Sequence, residues 1–358
     1  MLSTKPIPPQ AVKMVGFSLL QPASAAMAYQ PDGFNAWESQ LWYQASRRSG
    51  ISQWLFNRFG TSTDSSIPVS ARLREADYRA GLRAMEQACT QAFASLDRQQ
   101  MQRIRHERTA LVYFDCWGES ALFEAGVSWR DALSLDLLPA SIVRDYNLKD
   151  FSCKVQGEHQ GFLLALRVAI DQLNSGSIDT VLLCGLYRSL PLMVFSQHSA
   201  ASVRAAKGTT HTSVERSAAL ILRKTADEGV ALHLNDYFLL PAQPTLAAQQ
   251  LAQRWQQYWT PECCAMLGAI HTSAAMLSLE QAALKIKPLP WHALTTTYGD
   301  SGCINPLLAL LHLSSVRIPA NHPSPQLLVN ALDGNGAGWL MSIWPDARRD
   351  RWEKSLWR

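Results

Sequence analysis

The stretch Tyr146–Gly185, YNLKDFSCKVQGEHQGFLLALRVAIDQLNSGSIDTVLLCG, constrains the fold more than any other part of the chain. Phe151–Val155 reads as a strand that runs into a tight turn bracketed by Gly157 and Gly161. Phe162, Leu166, Ala169, Ile170 and Leu173 then recur at the three-to-four spacing of an amphipathic helix. Asn174–Gly176 stops that helix, and Thr180–Cys184 follows as an apolar run of the kind covered on both faces of a sheet. Strand, helix and doubly covered strand in this order predict a layered α/β fold with helices on each side of the sheet.

The same periods recur elsewhere. Ala11–Leu20 reads as a first strand, Glu75–Leu96 as an amphipathic helix, and Thr109–Trp117 as a buried strand ended by Gly118. Gln21–Thr63, rich in Ser, Gly, Trp and Gln, shows no period and reads as irregular. Ser217–Arg223 and Val230–Leu234, joined through Gly229, are expected to form a hairpin. The second half echoes the first. Gly299–Gly302 opens a helix over Cys303–Leu313, Gln326–Ala331 reads as a strand, and a Gly-rich loop at Asp333–Gly338 leads to a last strand, Trp339–Trp344. Two related halves follow, residues 11–240 and 241–346 with the changeover near Pro241–Pro244, and then a basic tail, 347–358.

Composition narrows the function classes. With 47% apolar and 17% charged residues the chain can fill several layers and is not disordered. A net charge of +4 is too small to point to nucleic acid, and the basic tail with Trp352 and Trp357 reads as a solvated end. The seven cysteines are odd in number and irregularly spaced, which predicts buried thiols in a reducing cytoplasm rather than a disulfide framework. No apolar run approaches the ~18 residues of a membrane span. Phosphate-loop, dinucleotide and Cys/His metal motifs are absent, so no cofactor or metal is expected.

At Tyr146–Gly185 the chain resembles the β-ketoacyl-carrier-protein synthases of fatty-acid and polyketide assembly. Tyr146-Asn147-Leu148-Lys149, Gly161, Gly176, Asp179 and Gly185 fall, without a gap, into that family's strand, nucleophile turn, helix and buried strand. Leu138–Val143, Glu215–Arg223, Tyr298–Leu310 and Asn330–Leu340 resemble four further family segments in the right order. The resemblance implies a thiolase-like fold, two pseudo-symmetric halves in a layered αβαβα core.

It also implies where chemistry would sit. The family needs a thiolate to carry the acyl chain and two histidines to stabilise the enolate and oxyanion. Here His159 stands at the nucleophile position, Ile270 and then His271 at the first histidine, Thr296 at the second, and Trp291 at the accompanying lysine. An imidazole cannot hold a stable acyl thioester, so no catalytic residue is expected. Cys153, six residues before His159, reads as a buried inert thiol, as does Cys303. Glu158-His159-Gln160-Gly161 resembles a variant of the motif carried by chain-length factors, the inactive halves of type II polyketide synthases of the aryl polyene kind.

By that resemblance the chain is a non-catalytic partner of an active β-ketoacyl synthase in a cytoplasmic heterodimer, with an acyl carrier protein as a further partner. Trp117, Leu122, Phe123, Gln160, Gly334 and Asn335 would line the acyl pocket, and the strand with Phe151, Cys153 and Val155 would form the dimer interface. Two other readings stand beside it: a thiol-independent malonyl decarboxylase or acyltransferase of the same fold, and a stand-alone acyl-binding relative.

Overall fold

Thr180–Tyr187 is buried at every position, and the sheet is built outward from it. The computed structural model describes residues 10–33, 35–117, 140–206, 208–224, 229–259, 263–268, 273–315, 326–334 and 336–344. In chain order the first strands are β1 (Val12–Leu20), β2 (Met27–Ala28), β3 (Gln53–Asn57), β4 (Thr109–Asp115), β5 (Phe151–Gln156), β6 (Thr180–Tyr187) and β7 (Thr210–Val214). They continue as β8 (Arg216–Arg223), β9 (Val230–Leu239), β10 (Cys263–Gly268), β11 (Trp291–Ala293), β12 (Gln326–Leu332) and β13 (Ala337–Trp344). The helices are α1 (Ala36–Ser49), α2 (Val69–Arg74), α3 (Tyr78–Ala94), α4 (Arg98–His106), α5 (Ala140–Asp145) and α6 (Gly161–Ser175). After them come α7 (Pro191–Ser199), α8 (Pro244–Tyr258), α9 (Ala274–Ile286), α10 (Leu294–Tyr298) and α11 (Leu308–Ser315).

Ten strands form one sheet in the order β5-β4-β6-β8-β1-β9-β13-β12-β10-β11. It consists of two five-strand sets with the same plan. Numbered within its own set, each runs third, second, fourth, fifth, first. In both sets the second strand pairs parallel with the third and fourth, and the fifth runs antiparallel to its neighbours. The sets meet where Val12–Met14 of β1 pair antiparallel with Val230–Leu232 of β9. The internal echo in the sequence is therefore a repeat of topology, and strand order counts β9 with the second set, ahead of Pro241–Pro244.

Side-chain alternation makes the layers, because successive residues of a strand point to opposite faces. On β4, Ala110, Val112 and Phe114 face a core shared with α6, α11 and strands of both sets. Leu111 and Tyr113 face the opposite core, under Met85, Ala88, Cys89 and Ala92 of α3. On the other side, Leu328 and Leu340 pack beneath Leu251 and Trp255 of α8 and Ala283 of α9. Helix, five-strand set, helices, five-strand set and helices thus stack in the αβαβα order. Burying each large apolar side chain of α6 contributes about 1.5–3 kcal/mol.

Three local expectations are corrected. Ser217–Arg223 and Val230–Leu234 do not pair as a hairpin, because β1 inserts between them and bonds to both. Nearness in sequence cannot reveal a third strand arriving from the N-terminus. Gln21–Thr63 is not irregular: it holds β2, α1 and β3, and β3 joins β2 and β7 in a small second sheet. Helix α1 shows little amphipathic signal, and its ends rest on the Asn35 side chain, which accepts from the Trp37 and Glu38 amides, and on left-handed Gly50. The helix expected over Cys303–Leu313 begins as a 3-10 segment, Gly302–Leu307, with Pro306 inside it, before α11 starts. Pro306 has no N–H to donate, so the α-helical ladder cannot run through it.

Candidate functional site

Gly157–Gln160 connects the sheet-edge strand β5 to α6. Its backbone is pinned from below: the Gly157 amide donates to the Asp115 carbonyl at 3.1 Å, and the Cys116 thiol donates to the Glu158 carbonyl at 2.8 Å. Gly161 is required by close approach, since a Cβ there would lie 3.0 Å from the Asp115 carbonyl oxygen and 3.3 Å from the Cys303 side chain. Gln160 ties the turn to the second half. Its amide donates to Asp333 Oδ2 at 2.7 Å, and its oxygen accepts from the Trp339 indole at 3.1 Å.

Above this turn lies a cavity of about 650 Å³, walled by His159, Gln160, Trp117, residues 196–198 of α7 and 200–203 after it, the start of α9 and the Leu332–Gly334 loop. The volume is that of a small-molecule site. His159 is half-buried, with Nε2 3.5 Å from the Gln197 amide nitrogen across the cavity. Trp117 is held by its indole N–H, which donates to the Arg188 carbonyl at 2.5 Å. The Arg188 side chain is itself fixed below the wall. Its Nε lies 2.9 Å from Glu215 Oε1, while Arg58 Nε lies 3.4 Å from the same oxygen, all three residues being buried.

Of the residues singled out from sequence, His159, Gln160, Trp117 and Gly334 meet at this cavity. Leu122, Phe123, Ile270, His271 and Asn335 lie outside the described residues. Thr296 is exposed on α10 and is not among the described lining residues. Trp291 sits on β11 at the far edge of the sheet, where its indole donates to Glu280 Oε2 at 2.9 Å. His292 lies tilted against His312 instead, the ring centroids 5.0 Å apart. Phe151, Cys153 and Val155 are partly buried on β5, the outermost strand of the first set, and pack back on the shared core.

The described thiols nearest this turn, Cys116, Cys153 and Cys303, are buried or partly buried. Burial first, and then the neighbouring Cys303, push the Cys116 thiol well above its ordinary range. Burial also raises Cys153, and Cys303 is fully buried. None of the described residues lining the cavity is a cysteine. Sequence reasoning missed the α7 side of the cavity altogether, where Met193, Ser196, Gln197 and His198 contribute. Only the folding of α7 against α1 turns one of its ends to the cavity.

No family model matches the chain, and no curated protein matches it in sequence. Solved structures do match. A ketosynthase from module 6 of the bacillaene synthase of Bacillus subtilis 168 aligns with a TM-score of 0.60 at 13% identity, over 94% of this chain and 72% of that one. The ishigamide ketosynthase/chain length factor aligns with a TM-score of 0.55 at 15% identity, over 93% of this chain and 99% of that one. A type II polyketide synthase acyl-carrier protein complex with its ketosynthase gives 0.55 at 11% identity, over 93% and 99%. The chain has the ketosynthase fold. Within this ketosynthase fold, the turn ahead of α6 and the loop between β12 and β13 come one from each half and close on one cavity.

Proposed function

We propose that the chain is a ketosynthase-like subunit that does not itself condense acyl units and pairs with an active β-ketoacyl synthase, in the manner of a chain length factor. The observation that carries this reading is His159. It occupies the turn that resembles the family's nucleophile turn, it faces the cavity, and no described lining residue supplies a thiol in its place. The edge strand β5 supports the pairing, because its outer side has no neighbour in the sheet among the described residues and natural edges of this kind are covered. The partner's β5 equivalent would extend the sheet, and the cavity wall at Trp117 and Gln160 would limit the length of an acyl chain shared with the partner or delivered by a carrier protein.

Co-expression with the ketosynthase encoded nearest to it should yield a stable one-to-one complex by size exclusion with light scattering. The interface would bury on the order of 2,000 Å² or more. Incubation with acyl donors should leave no acyl adduct on this chain by mass spectrometry. A monomer that ignores that synthase would end the pairing, and a stoichiometric adduct on this chain would end the non-catalytic reading.

A further inference from the structure

Behind the cavity, three side chains from separate elements come together: His198 in the last turn of α7, His211 on β7 and Asp300 in the loop after α10. Backbone pairing sets the last two side by side, for the Asp300 amide donates to the Thr212 carbonyl at 2.7 Å and the Val214 amide to the Asp300 carbonyl at 2.8 Å. One ligand atom from each residue lies within 4.8 Å of the other two, and His211 Nε2 is 4.0 Å from Asp300 Oδ2. All three are buried, and His198 also lines the cavity.

We propose that His198, His211 and Asp300 bind a divalent transition-metal ion that enters from the cavity. Among the described residues neither ring nitrogen of His211 has a hydrogen-bond partner, although the residue is only 1% exposed. A buried imidazole normally satisfies both nitrogens, and a metal beside Nε2 would take up one of them. Asp300 is oriented as metal-ligating carboxylates are: its Oδ1 accepts from the Gly302 amide at 2.9 Å and from the Asn305 side chain at 2.8 Å. Oδ2 is the oxygen nearest His211. Burial holds both imidazoles in the neutral form that coordinates metals, His198 down to about 3.

The donor set also selects the ion. Two imidazoles and one carboxylate suit zinc, iron or cobalt, whereas magnesium and calcium need more oxygen and more negative charge. Here Arg216, bonded to the Tyr298 carbonyl and Ser301 hydroxyl of the same loop, already offsets the charge of Asp300. Ligands bound at about 2.0–2.2 Å sit closer to one another than 4 Å, so binding draws the three side chains inward. The competing account is aromatic packing, because Trp54 lies edge-on to His198 at 5.1 Å and tilted on His211 at 5.2 Å. Packing accounts for the ring faces but not for the ring nitrogens.

Cobalt separates the two accounts. The full chain, stripped with chelator, dialysed against Co²⁺ and freed of excess, should retain about one ion per chain, with visible absorption bands and a raised melting temperature. His211→Phe keeps the aromatic packing and should lose both ion and shift. His198→Gln, which removes one of the three ligands, should bind far more weakly than wild type. Wild-type protein that retains no cobalt overturns the proposal, and so does His198→Gln or His211→Phe protein that binds as wild type does.

Discussion

Glu280 is a carboxyl placed where a charge is costly. It is fully buried, and burial raises its pKa from 4.5 to about 8, against the lowering effect of hydrogen bonds from Asn330 and Trp291. Between those two values the folded chain keeps a proton that the unfolded chain has released, so stability must fall as pH rises. Over about pH 5 to pH 8 the Glu280 contribution should therefore fall by on the order of a few kcal/mol, so in urea titrations wild-type protein should lose stability relative to Glu280→Gln by that amount. Equal slopes for the two proteins would rule this out. Glu215 is the opposite case, a buried acid paired with Arg58 and Arg188. Glu215→Ala leaves two buried guanidiniums without their shared partner and should cost roughly 3–5 kcal/mol in the same titration. At His159 the cavity leaves room for exchange, so His159→Cys should fold normally. The new thiol, ahead of α6 and facing the cavity, should be alkylated by iodoacetamide well before the buried Cys116 and Cys303, as peptide mapping can check.

Among the elements, β5 is the one whose exposure has a consequence beyond its own stability. Among the described residues it pairs with β4 alone, and Lys154 reaches back to Asp115 at 3.6 Å. A proline there removes a backbone donor from an extended strand as well as the ion pair, whereas alanine removes the ion pair alone. Lys154→Pro should break the proposed synthase complex in a pull-down, and Lys154→Ala should keep it. Loss of the complex in both variants would place the contact in the side chain and not in sheet extension. Helix α3 shows the reverse relation between pattern and place: its stripe of Met85, Cys89, Ala92 and Phe93 was readable from periodicity and packs as expected.

For the whole molecule, the pairing of β1 with both β8 and β9 makes one sheet of the two sets, so the halves should not unfold separately. Both sets also share a single central core around α6 and α11. Urea unfolding followed by tryptophan fluorescence and by far-ultraviolet circular dichroism should give coincident transitions. Two separated transitions would show that the β1–β9 contact and the shared core do not couple the halves.

The sequence by itself determined the elements whose hydrophobic period is strong and local. The strand–turn–helix–strand of β5, α6 and β6, the buried β4, the amphipathic α3 and the closing strands β12 and β13 were all legible, because each is decided by which faces must be buried. The glycine-bracketed turn with His159 was legible for the same reason. Tertiary structure alone decided what depends on contacts between distant segments. The place of β1 between β8 and β9 is set by pairing across some two hundred residues, and α1 by its caps and its packing on α7 rather than by periodicity. The His198, His211 and Asp300 cluster follows the same rule: no spacing announces it, since its members come from a helix end, a short second-sheet strand and a loop. A sequence carries its burial pattern in every window, but it carries juxtaposition only through the fold.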